Sequence, residues 1–193
     1  MKNFRISFLG LVFLSTLCLC QTPTNPFKSL HGVYADPKPY SYGQTFGHRK
    51  FSFEKDRWTL DFTLSLDPLG KMPVFSFRTF GRYEVLSPSK VVPGAFEAIF
   101  YEDKKFVTLH TKQKELVDAF GFTPCALEVG IEKDISETGC SVWAPVSVCN
   151  EDHDLLALTE TGGIRFGERP RDNNMCKSEN RPTSLTPSVE RAN

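Results

Sequence analysis

The sequence predicts an all-β fold with one short helix, an antiparallel meander closing into a β-barrel. Three observations predict it. Apolar and polar side chains alternate over several runs, turn residues separate those runs, and 17 Phe among 193 residues demand a large apolar interior. The 23 Lys and Arg are balanced by 23 Asp and Glu, so the composition gives no basic footprint to hold phosphates, and nucleic-acid binding is set aside for want of electrostatic support. The length fits one domain.

Lys2 and Arg5 precede an apolar run, Ile6 to Leu17, that ends in Cys18-Leu19-Cys20 before polar residues. This is the order of a secretory signal peptide over 1–20, and a run of about 12 residues is too short to span a bilayer as a helix. The competing readings are an uncleaved anchor and lipid attachment at Cys20, where Leu17 is placed as in a lipobox but Leu19 fits it poorly. Residues 21–29, rich in Pro, Thr and Asn, read as a leader, and the domain proper as 30–185.

Along the domain, His48–Glu54 sets Phe51 and Phe53 in register and turns at Lys55-Asp56 into Arg57–Leu66. There Trp58, Leu60, Phe62, Leu64 and Leu66 share one face, and Thr59, Asp61, Thr63 and Ser65 the other. Beyond Asp67-Pro68-Leu69-Gly70, the run Val74–Leu86 aligns Phe75, Phe77, Thr79, Gly81, Tyr83 and Val85. Gly81 in mid-strand predicts a bulge or sharp bend. Ala95–Glu102 presents Phe96, Ala98 and Phe100, and Asp103-Lys104-Lys105 reads as a hairpin turn into Phe106–Thr111. Leu116, Val117 and Phe120 at helical spacing, with Gly121 as a stop, predict a helix over Lys112–Phe120. Val142–Val148 and Leu155–Thr159 read as short strands, the second joined through Gly162-Gly163 to Ile164–Phe166. From Thr183 the chain is polar, and 186–193 reads as a disordered tail. Roughly eight or nine strands in hairpin succession favour closure, which removes exposed edges.

Signal removal leaves four of the six cysteines, Cys125, Cys140, Cys149 and Cys176. An even number in an exported chain points to disulfides. Symmetry about the Gly162-Gly163 turn sets Cys149 opposite residues near 176, which favours Cys149–Cys176 and leaves Cys125–Cys140. His153 lies four residues after Cys149, but no C-x-x-C pair accompanies it, so no metal site and no cofactor is expected.

In order, Phe46-Gly47-His48-Arg49-Lys50-Phe51, Asp67-Pro68, Phe75-x-Phe77, Gly81-Arg82-Tyr83 and Gly94-Ala95-Phe96-Glu97-Ala98 form a series. It continues through Gly130, Asp134-Ile135-Ser136, Gly139-Cys140, Asp154-Leu155-Leu156, Phe166-Gly167-x-Arg169-Pro170-x-Asp172 and Arg181-Pro182-Thr183-Ser184. Together these resemble the domain of the adenomatosis polyposis coli down-regulated (APCDD) proteins, over nearly all of 30–185. The resemblance implies an extracellular, lipocalin-like barrel with an apolar pocket, which in tandem copies in membrane-bound animal members is associated with antagonising lipid-modified Wnt signals. This sequence carries one copy without a C-terminal span. It also has Ala35-Asp36-Pro37 and Leu69-Gly70-Lys71 where an early cysteine pair is expected, which weakens the Wnt role and leaves acyl-chain binding open.

The candidate ligand-binding wall is therefore Trp58, Leu60, Phe62, Leu64, Phe75, Phe77, Tyr83, Phe96 and Phe100, which either packs as a solid core or encloses an acyl chain or other apolar ligand. A lipidated protein is the corresponding macromolecular partner. Arg49, Arg78 or Arg82 at the mouth is a means of meeting a carboxylate head group, but arginines on strands more often sit in solvent, and none of the three is nominated. The acidic residues read as scattered at turns, His31, His48, His110 and His153 have no partner spacing, and no Gly-x-Ser-x-Gly occurs, so no catalytic residue is nominated. A filled barrel acting through its loops is the alternative, and a secreted hydrolase the third. Arg169-Pro170-Arg171-Asp172 and Arg181-Pro182 read as loops closing one barrel end through Arg–Asp hydrogen bonds.

Overall fold

Period-two alternation produces eleven strands in one sheet that nearly closes on itself. The computed structural model describes residues 25–27 and 30–192; the signal segment 1–20 lies outside the described residues. The strands are β1 (Gly32–Ala35), β2 (Tyr40–Tyr42), β3 (Thr45–Glu54), β4 (Arg57–Ser65), β5 (Pro73–Pro88), β6 (Phe96–Tyr101) and β7 (Lys104–Leu109). After helix α1 (Lys114–Ala119) come β8 (Glu132–Asp134), β9 (Glu151–Leu158), β10 (Ile164–Phe166) and β11 (Glu190–Arg191). The antiparallel order β10-β9-β6-β5-β4-β3-β1-β11 forms the barrel wall, with β2 on β3 and β8 on β7. One seam, between β10 and β11, lacks a continuous ladder.

The hairpin of β3 and β4 turns at Lys55-Asp56, with Glu54 opposite Arg57. Across β4 and β5 the apolar stripes meet in register: Trp58 faces Gly81, Leu60 faces Thr79, Phe62 faces Phe77 and Leu64 faces Phe75. A one-residue slip would turn the whole stripe outward, so the buried face itself specifies the pairing. The predicted helix forms over its central turns and packs Leu116 and Val117 on the lower core.

Four expectations are corrected. Asp103-Lys104-Lys105 is not a hairpin turn, because β6 and β7 run on in one direction along the same long strand, β6 on Tyr83–Pro88 and β7 on Phe75–Phe80. The kink between them sits over Gly81, where a side-chain carbon would lie 1.8 Å from the Tyr101 carbonyl oxygen. Val142–Val148 is a loop: Cys140 and Trp143 exchange backbone hydrogen bonds in a tight turn, Pro145 has no N–H to give a ladder, and Val142 and Val148 are exposed. The strand expected at Leu155 begins earlier, at Glu151, because β6 supplies hydrogen bonds to the charged stretch before it.

Finally, residues 186–192 are not a tail. Val189 is fully buried and exchanges hydrogen bonds with Ile164, Ala192 donates to the Val33 carbonyl, and Tyr34 pairs with Arg191. This strap spans the seam through the isolated bridges Ile164–Val189 and Gly167–Leu185. At the other terminus, Phe27 of the expected leader is buried against Phe96. Both end segments carry the apolar side chains that the barrel needs to cover its edge and its floor.

The disulfides are Cys125–Cys140 and Cys149–Cys176, closing loops of 15 and 27 residues. Each contributes about 3 kcal/mol on the loop-entropy scale. No helix among the described residues is long and apolar enough to cross a membrane.

Candidate functional site

The interior holds two aromatic clusters. One packs Phe27, Tyr34, Phe51, Phe53, Trp58, Tyr83, Phe96, Phe100, Leu156, Ile164 and Phe166. The other packs Leu64, Phe75, Phe77, Val107, Leu109, Phe122 and Ile135, with Phe62, Phe120 and Trp143 against them. A cavity of about 950 Å³ is lined from both. Of the wall read from the sequence, Trp58, Leu60, Phe62, Leu64, Phe75, Phe77 and Phe100 line it. Tyr83 and Phe96 do not: Tyr83 packs on Phe53 and Phe100 and donates its hydroxyl to Lys55, and Phe96 meets Phe27. The barrel is thus filled at one end and hollow beyond it.

The loop carrying Trp143 supplies a wall that strand periodicity does not show. Its indole stacks on Phe77 at 4.5 Å between centroids, and Phe75 meets Phe120 and Phe122 edge-on at 5.4 and 5.1 Å. The Cys125–Cys140 bridge ties α1's trailing segment to this loop. Lining residues Tyr42, Ser141, Val142 and Arg171 are exposed, so the cavity opens to solvent there.

The three arginines weighed for a carboxylate head group are otherwise engaged. Arg49, buried, pairs with buried Asp36 at 2.7 Å, donates to Thr186 Oγ1 and the Pro187 carbonyl, and lies over the Tyr40 ring. Burial pushes that tyrosine up to about 12. Arg78 is bound to Glu132 and lies over Phe106, and Arg82 lies over Tyr101, both on the outer face.

Acidic residues that looked scattered converge on the cavity wall. Asp152 and Asp154, two apart on β9, both line it, joined by Glu102 at the β6–β7 kink and by Arg169 beyond β10. Arg169 binds Asp152 at 2.7 Å and Asn173 at 2.6 Å, and Lys105, buried behind the wall, binds Glu102 at 2.8 Å. The lysine also donates to the Ala144 and Cys149 carbonyls. Burial, reinforced by the Asp152 charge and opposed by Lys105, pushes Glu102 up to about 7. Burial pushes Asp154 up to about 6 against the pull of Arg169 and the Leu155 and Gly167 amides. Burial also works against the Arg169 charge, but Asp152, Asp154 and Glu102 more than offset it, and the guanidinium stays protonated. The Arg–Asp contact read into the Arg169-Pro170 segment is present, inside the barrel.

Carboxyls whose folded values are raised bind protons more tightly folded than unfolded. Their stabilisation is complete below their ordinary values of 4.5 and 3.8 and is lost as pH rises through about 6–7. Thermal melts are therefore expected to show a higher Tm near pH 5 than near pH 8, by roughly 4–10 °C. His110, which partial desolvation holds below its ordinary value, acts in the opposite sense as pH falls. The measured quantity is accordingly the slope that Asp154→Asn removes, and an unchanged slope would mean that the cluster is fully compensated.

No family model matches the chain. Among the described residues no set of three or more His, Cys, Asp or Glu is placed to hold a metal ion.

Proposed function

We propose that this is an exported, non-catalytic binding protein that shelters the apolar part of a small amphiphile inside the barrel. The observation that carries the reading is the aromatic-walled cavity of about 950 Å³, left open beside a tightly packed aromatic cluster in the same barrel. A volume at the upper end of the small-ligand range suits one long chain. Each methylene moved there from water contributes about 0.8 kcal/mol, so a long alkyl chain needs no reactive group to bind. Two disulfides and the signal-like first twenty residues support export. The resemblance to the APCDD domain extends the proposal to the acyl group of a lipidated protein.

The test is native mass spectrometry of the purified protein with solvent extraction, paired with titration of the neutral probe N-phenylnaphthylamine. Co-purifying lipid or probe uptake is expected, with Leu60→Trp weakening uptake about tenfold while leaving Tm within a few degrees. A clean apo mass with no probe uptake would overturn the reading and transfer function to the loops.

A further inference from the structure

Resting on the cavity reading above, the geometry points to a ligand whose polar end is a cation, a primary ammonium on an alkyl chain, seated against Glu102, Asp152 and Asp154. Each of these carboxylates is about 5% exposed and lines the cavity. Each has one oxygen engaged: Glu102 Oε2 with Lys105, Asp152 Oδ2 with Arg169, and Asp154 Oδ1 with the Leu155 and Gly167 amides. The second oxygen of each has no hydrogen-bond partner among the described residues. Yet among the described residues no sealed-off side-chain oxygen or nitrogen lacks a partner. These oxygens therefore touch open space, and the space they border is the cavity.

Charge selects the ligand. Glu102, Asp152 and Asp154 face Arg169 and Lys105, while Arg181, which donates to the Asp154 carbonyl, is matched by Glu97, so one negative charge is uncompensated when all ionise. Arg49, which also lines the cavity, is neutralised by Asp36. The exposed rim adds Glu168 and Arg171, of opposite sign, and no histidine lines the cavity. A carboxylate head would meet Arg169 already surrounded by acids, whereas an ammonium supplies the missing charge and three donors for the open oxygens. Below neutrality the raised values of Glu102 and Asp154 mean that a proton takes the place of the ammonium. Binding an ammonium near neutral pH should then release a proton, and affinity should rise from about pH 5.5 to pH 8.

The experiment compares dodecylamine, dodecanol and dodecanoate, chains of one length with different heads, by calorimetric titration of the purified protein in two buffers of different ionisation heat. Dodecylamine is expected to bind about tenfold or more tighter than dodecanoate near pH 8, with proton release, and dodecanol to show no pH dependence. Asp154→Asn, which keeps an oxygen for the Leu155 and Gly167 amides, should narrow the gap between amine and alcohol. Equal affinity for all three, or preference for dodecanoate, overturns the head-group assignment while leaving an apolar pocket. Failure of all three, dodecanol included, overturns the pocket itself.

Discussion

Arg49→Met is expected to cost about 3–5 kcal/mol of folding free energy, because it leaves a buried carboxylate without its cation. Asp36 is 2% exposed in its side chain, and Arg49 meets both its oxygens, Nη2 at 2.7 Å and Nε at 3.1 Å, while the Arg49 backbone N–H donates at 2.6 Å. The same guanidinium holds the strap through Thr186 and Pro187. One side chain thus joins β3, the end of β1 and the segment that spans the seam. The check is urea unfolding of three proteins: wild type, Arg49→Met, and Arg49→Met with Asp36→Asn. The double variant should recover a large part of the loss, since it removes the stranded charge. A single-variant loss below about 1 kcal/mol would show that water reaches Asp36 and that the strap does not depend on the pair.

The second large effect is expected at Gly81. A methyl group there would lie 1.8 Å from the Tyr101 carbonyl oxygen and 2.7 Å from its carbon, both backbone atoms in a paired strand that cannot step aside. Trp58 stands opposite Gly81 in the ladder, and its indole N–H reaches that same carbonyl at 3.0 Å. Gly81→Ala should therefore separate β5 from β6 at the kink, cost more than about 3 kcal/mol, and reduce soluble yield. Gly162→Ala is the control: its φ of 85° is strained for alanine but nothing lies within 4 Å, so a loss near 1 kcal/mol is expected. Similar losses at the two positions would mean that backbone conformation, and not the close approach, sets the cost at Gly81.

What the sequence revealed followed from local rules. Trp58 to Leu64 and Phe75 to Phe77 alternate so regularly that their inward face was legible without any knowledge of partners. Gly81 was legible as a bend, and the cysteine pairing followed from one turn. Asp152 and Asp154 were missed because a charged tetrapeptide, Glu151 to Asp154, has the composition of a turn, and only pairing with β6 makes it a strand. A period-two reading of Asp152, Asp154 and Leu156 was the available signal. Val142–Val148 failed the other way: its apolar residues alternate, but Pro145 and the Cys140–Trp143 turn decide its path. Val189 stands alone in polar surroundings, so its burial depended on an edge contributed by Ile164, distant in sequence.

The strap also sets an order of events. Because β1 pairs with β11 and Val189 bridges to β10, the wall cannot be completed until the ribosome has delivered the chain through Ala192. All ten other strands precede this segment in the chain, and the two edges it joins, β10 and β1, lie at opposite ends of the sheet. Closure is thus the most non-local pairing of the fold, and a chain truncated before Val189 would present two unpaired edges to its neighbours.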